Sequence, residues 1–157
     1  MRRLNVHSFV HELNTVCNYL HASYDINFGG CCFVAAEIAK YLDRMHLEYR
    51  LGIYDLEDKN IEEINKEVQN KVLNYNSSVT GEHSCSHYFL HIKGGGSINV
   101  GSPYIGYNKY YIDNINHTNI QWIYKHGSWN SHYNTNYNPF VKNTLKAFFQ
   151  RYVTPIS

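Results

Sequence analysis

Two glycines run directly into two adjacent cysteines that open an apolar, alanine-rich segment, NFGGCCFVAAEIAKYL at residues 27–42. From Cys31 to Met45 the residues Val34, Ala35, Ile38, Ala39, Leu42 and Met45 recur at three- and four-residue spacing and build a wide apolar stripe. A helix with so broad an apolar face is expected to be the most buried in the domain. Gly29 and Gly30 let the backbone turn sharply at its start.

Around this segment the hydrophobic period switches between helix and strand. From Ser8 to Ala22, Phe9, Leu13, Val16 and Leu20 form one apolar face, with Ser8 available as N-cap. In LEYRLGIYDL, Leu47, Tyr49, Leu51 and Ile53 alternate with polar or small residues and predict a strand. Residues 59–75 place Ile61, Ile64, Val68 and Val72 on one narrow face of a charged segment, which predicts a peripheral amphipathic helix. CSHYFLHIK then reads as a strand with Tyr88, Leu90 and Ile92 on one face and His87, Phe89 and His91 on the other. The GGG turn joins it to SINVGS, so residues 85–101 are expected to form a hairpin. YIGYNKYYIDNI and NIQWIYK predict one or two further strands or ordered aromatic loops. Pro139 suits the first position of a C-terminal helix marked by Phe140, Leu145, Phe148, Phe149 and Tyr152.

The expected fold class is therefore α+β: N-terminal helices packed on an antiparallel sheet, with a C-terminal helix. The 157 residues suit one domain, 1–157, with a helical insert at about 57–84, since a chain of this length buries roughly 70% of its unfolded surface.

Lys and Arg number 14 against 13 Asp and Glu, so no broad positive footprint for a phosphate backbone is present, and nucleic acid is not an expected partner. The apolar runs fall far short of a membrane span. The start, MRRLNVHSFVHELN, lacks the apolar core and cleavage site of a secretory signal, and the cysteines at 17, 31, 32 and 85 do not form a disulfide framework. A reduced, cytoplasmic setting is expected.

Cys31 stands in the first turn of its helix, where unpaired backbone N–H groups and the positive end of the helix dipole favour the thiolate. Its own N–H is placed to donate to an oxyanion. A base is available on the strand that follows, either His87 or, two pleats further on the same face, His91. Asn99, beyond the GGG turn, is a residue type that orients an imidazole by bonding its second nitrogen. Taken singly, each has a plain structural role: cysteines as small core residues, strand histidines as solvated groups, and Asn as a common residue in this chain.

The segments GGCCFVAAEIAKYL, SHYFLHI and SINVGS together resemble the papain-like and transglutaminase-like cysteine hydrolases, in particular small bacterial and phage-type members. The resemblance covers residues 27–53 and 85–101. It implies a papain-like fold and a cysteine-dependent hydrolase or acyl transferase acting on an amide, peptide or isopeptide bond of a protein or peptide substrate, through a thioester and without a cofactor. It also implies a Cys-His-Asn triad of Cys31, His87 and Asn99. This chain departs from the pattern in three places. Cys32 stands where small members have Gly, although the position of Ala35 aligns Cys31 with the nucleophile. No Gln precedes the cysteine, Asn27 being the nearest amide. The insert lengthens the path from the first strand to the histidine strand.

Three other assignments fit parts of the sequence. His83, Cys85 and His87, or Cys17 and His21, are soft zinc ligand types, but no CxxC pair accompanies them, and no metal is expected. The aromatic stretch QWIYKHGSWNSHYNTNY is expected to serve packing, with Trp129 as the candidate wall of a binding groove. The contrasting function is a non-enzymatic interaction or effector module, which keeps the scaffold and binds a host protein through a Tyr- and Asn-rich surface.

Overall fold

The structure, a computed structural model, describes residues 4–24, 31–55, 62, 85–98, 108–113, 115–126 and 139–152. Within its helices and strands, the side chains of Cys32, Asp55, residues 85–87 and residues 122–126 are outside that description. Most of the expected insert at 57–84, and the aromatic stretch from 127 that includes Trp129, lie outside the described residues.

Helix α1 (Val6–Tyr24) starts three residues before a cap at Ser8 would place it. The cap is Asn5, not Ser8. Asn5 Oδ1 accepts the Ser8 N–H at 3.1 Å and its carbonyl accepts the Phe9 N–H at 3.0 Å, so Ser8 is already in the first turn. Phe9, Val10, Leu13, Cys17 and Leu20 form the buried face.

Helix α2 (Cys31–Arg44) buries Phe33, Val34, Ala35, Ala36, Ile38, Ala39, Tyr41 and Leu42, and so is apolar around most of its circumference. It ends in a Schellman arrangement. His46 takes a left-handed backbone, φ 57°, while the Leu47 N–H bonds the Leu42 carbonyl and the His46 N–H bonds that of Asp43. This reversal feeds the chain straight into strand β1 (Tyr49–Asp55).

Strands β2 (Cys85–Ile92), β3 (Gly96–Ile98) and β4 (Asn108–Ile112) complete an antiparallel sheet in the order β3-β2-β1-β4. The expected hairpin is present. Its turn needs glycine, because Gly94 and Gly96 both adopt positive φ, 80° and 97°. On one face of the sheet Leu51, Ile53, Tyr88, Leu90, Ile92, Ile98 and Ile112 join the helices in a single core. The register fixes the other face: Arg50 lies opposite His91, Gly52 opposite both Phe89 and Tyr111, and Tyr54 opposite both His87 and Lys109. There Phe89 is only 1% exposed, its ring lying over Gly52 and against Tyr54 at 4.8 Å.

NIQWIYK is neither strand nor loop. It belongs to helix α3 (His117–His126), capped by Asn116, whose Oδ1 accepts the Asn119 N–H at 3.1 Å, and anchored by fully buried Ile120. Tertiary packing against α2 overrides the strand propensity of its β-branched and aromatic residues. Helix α4 (Pro139–Phe149) begins at the expected proline. Phe149 stacks on Tyr41 at 4.4 Å and meets Phe9 edge-on at 6.0 Å, tying the C-terminal helix to α1 and α2.

Candidate functional site

Cys31 is the first residue of α2 and lies in the turn whose backbone N–H groups have no partner within the helix. It is 8% exposed and in no disulfide. Its side chain borders a void of about 10 Å³ shared with Ala35, Tyr88, Leu90 and Ile98. The helix start is thus packed on the β2–β3 hairpin, against residues next in sequence to both proposed partners: Tyr88 follows His87, and Ile98 precedes Asn99.

The backbone of His87 lies in β2, in register with Tyr54. That register assigns position 87 to the face of Tyr54, Phe89 and His91, the reverse of the face that α2 covers. Immediately beside it the pairing slips: Tyr54 pairs with His87 and Asp55 with Cys85, which leaves Ser86 as a β-bulge. Asn99 and Asn27 lie outside the described residues, as does the side chain of Cys32.

His91 is not brought to Cys31, because the sheet stands between them. Its Nδ1 is 3.0 Å from Ser97 Oγ, and its ring meets the edge of Tyr111 at 5.3 Å. Burial, then the charges of Arg50 and Lys109, hold its pKa below the usual imidazole value.

A second constellation, 74 residues apart in the chain and without a sequence signature, gathers at the far end of α2. Asp43 Oδ2 contacts His117 Nδ1 at 2.6 Å, and Asp43 Oδ1 accepts the Tyr49 hydroxyl at 2.8 Å. Burial first, then the hydrogen bond to Asp43, pushes the Tyr49 phenol far above its ordinary range. Next to it opens a cleft of about 830 Å³, lined by Asp43, Tyr49, Arg50, His91, Lys93 and Asp113 among others. Twelve residues apart along the same helix, Asp43 and Cys31 stand roughly 18 Å from each other, so the cleft and the cysteine are separate places.

Among the described residues no group of three or more His, Cys, Asp or Glu is arranged to hold a metal ion, and no helix is long and apolar enough to cross a membrane. Cys17, one of the soft ligand types on α1, is fully buried, and burial pushes its thiol pKa up to about 12. His83 and the side chains of Cys85 and His87 lie outside the described residues. Compared with known proteins, the chain matches no family model, no curated protein and no solved structure.

Proposed function

We propose that the protein is a cysteine-dependent hydrolase or acyl transferase of papain-like architecture, acting in the cytoplasm on an amide, peptide or isopeptide bond of a protein or peptide. The observation that carries this reading is the packing of Cys31, at the start of α2, on the hairpin residues that neighbour His87 and Asn99.

In this scheme His87 takes the Cys31 proton and the thiolate adds to the substrate carbonyl, whose oxyanion is held by the N–H groups at the helix start. The tetrahedral adduct collapses to a thioester while His87 protonates the departing amine. Water, or a second amine, then gives its proton to His87 and adds to the thioester carbonyl. Release of the acyl product returns the sulfur as thiolate. Asn99 orients the imidazole throughout.

The experiment is alkylation with iodoacetamide at pH 6, read by peptide mass spectrometry on the native protein and on His87→Ala. Rapid modification at Cys31, slowed in His87→Ala, is expected. Equally slow labelling of every cysteine would overturn the assignment. Cys31→Ala used as a trap in lysate then identifies the substrate.

A second reading is favoured by one observation, the register of position 87 on the sheet face opposite α2. It takes the chain as a non-enzymatic interaction module on the same scaffold. Under it Cys31 labels slowly, and Cys31→Ala leaves partner binding unchanged.

A further inference from the structure

The cleft at the end of the sheet is lined by several charged groups, and most are already engaged within the chain. Asp43 takes the Tyr49 hydroxyl and His117 Nδ1. Glu48 and Lys93 pair with each other at 3.0 Å. What remains is donor capacity on two neighbouring side chains. Arg50 lies over the Tyr111 ring, its guanidinium carbon 4.4 Å from the centroid, so the ring helps hold the cation in place. Its contact with Asp113 uses Nε, is long at 3.6 Å, and joins two side chains that are 42% and 65% exposed. Such a pair holds weakly. Among the described residues the terminal Nη atoms, the edge that grips an oxyanion in two-pronged fashion, have no partner. Directly across the strand pair, His91 is pinned through Nδ1 by Ser97, and its Nε2 has no partner among the described residues.

We propose that Arg50 and His91 form a binding site for a small oxyanion, the phosphate or carboxylate group of a low-molecular-weight ligand, with Asp113 as the internal competitor that the ligand displaces. The site is remote from Cys31 and does not rest on the proposed thiol chemistry. Directly opposite residues of an antiparallel pair have Cβ atoms about 5 Å apart, so the two side chains leave the sheet side by side and line the same cleft. The guanidinium supplies charge and a fixed fork, and the imidazole supplies one further donor. The remaining charged neighbours set the sign. Arg50 on β1 and Lys109 on β4 both disfavour the imidazolium, Lys93 in the turn after β2 lines the same cleft, and Asp113 after β4 opposes them. An anion between Arg50 and His91 offsets the repulsion and raises the His91 pKa.

The test is a titration of the full chain with inorganic phosphate and, separately, with succinate at constant ionic strength, following the His91 ring protons by NMR. A saturable shift with a rise in the His91 pKa supports the site. A response to phosphate alone identifies a phosphate ligand, to succinate alone a carboxylate, and to both a general oxyanion site. Arg50→Gln is expected to weaken binding by about tenfold or more while leaving the unfolding midpoint near that of the parent. Asp113→Asn is expected to tighten it. No saturable response to either anion, or unchanged affinity in Arg50→Gln, would overturn the proposal.

Discussion

The carboxylate of Asp43 and the imidazole of His117 meet at 2.6 Å, Oδ2 to Nδ1, and bind the C-terminal end of α2 to the start of α3. The other carboxylate oxygen holds the Tyr49 hydroxyl at the entry to β1. Three elements are therefore joined through one side chain. Tyr49→Phe removes a single donor and is expected to cost about 1 kcal/mol, whereas Asp43→Ala strips the Tyr49 hydroxyl and both the ring and the backbone N–H of His117 of their acceptor and is expected to cost about 2 kcal/mol or more. Urea unfolding of both single variants and the double variant checks this. The double variant should fall short of the sum, because the two changes remove the same bond.

Gly52 is where the second face of the sheet closes. A Cβ at this position would lie 2.2 Å from the Phe89 ring, which is itself wedged against Tyr54 and Tyr111. Gly52→Ala is expected to destabilise by about 2 kcal/mol through overpacking. Phe89→Leu combined with Gly52→Ala should cost less than the two changes summed, measured by thermal unfolding, because the smaller side chain gives the methyl room.

Alkaline pH should weaken the fold through Cys17. Its thiol moves from an ordinary 9.0 to about 12 because ionisation inside the core is opposed by desolvation. The folded state therefore holds a proton that the unfolded chain releases, so stability is full below pH 9 and declines as pH rises from there toward 12. The raised Tyr49 phenol adds to the decline above its ordinary value of 10.0. Denaturation midpoints measured from pH 7 to 11 should fall beyond pH 9, with a shallower fall in Cys17→Ala. Cys17 should also resist alkylation until the chain is unfolded.

Asn5→Ala is expected to cost about 1 kcal/mol, since it leaves the Ser8 N–H without its cap, while Ser8→Ala should be near neutral. Guanidinium unfolding of the two variants discriminates the caps.

How far the sequence foretold this fold depends on how local each signal is. The apolar stripes of α1 and α2, the alternation in β1 and β2 and the glycine turn between β2 and β3 are all contained in one short window, and they survive in the structure. Ser8 was the nearer capping residue to the start of the apolar pattern, yet Asn5 is the cap, because helical backbone extends one turn beyond the apolar period. NIQWIYK, residues 119–125, reads as a strand or an ordered aromatic loop. What makes them helix is the Asn116 cap and the seat of Ile120 against α2, a contact between distant parts of the chain. The Asp43–His117 pair was invisible for the same reason. Of the candidate triad, the placement of Cys31 at a helix start was legible from Gly29, Gly30 and the stripe behind them. Which face of β2 the histidine position takes was not, because alternation gives two faces without saying which one the helix covers.

The strand order β3-β2-β1-β4 also bears on how the chain is made. The inner strand β1 ends at Asp55, yet neither of its neighbours comes from earlier in the sequence: β2 begins at Cys85 and β4 at Asn108. As the polypeptide leaves the ribosome from its N-terminus, α1 and α2 can form at once, while β1 waits with both hydrogen-bonding edges bare until later strands emerge. During that interval it offers an open template to any extended chain nearby. Until β2 and β4 have followed it out of the ribosome, β1 is therefore the segment through which nascent copies of this protein are most exposed to misassociation.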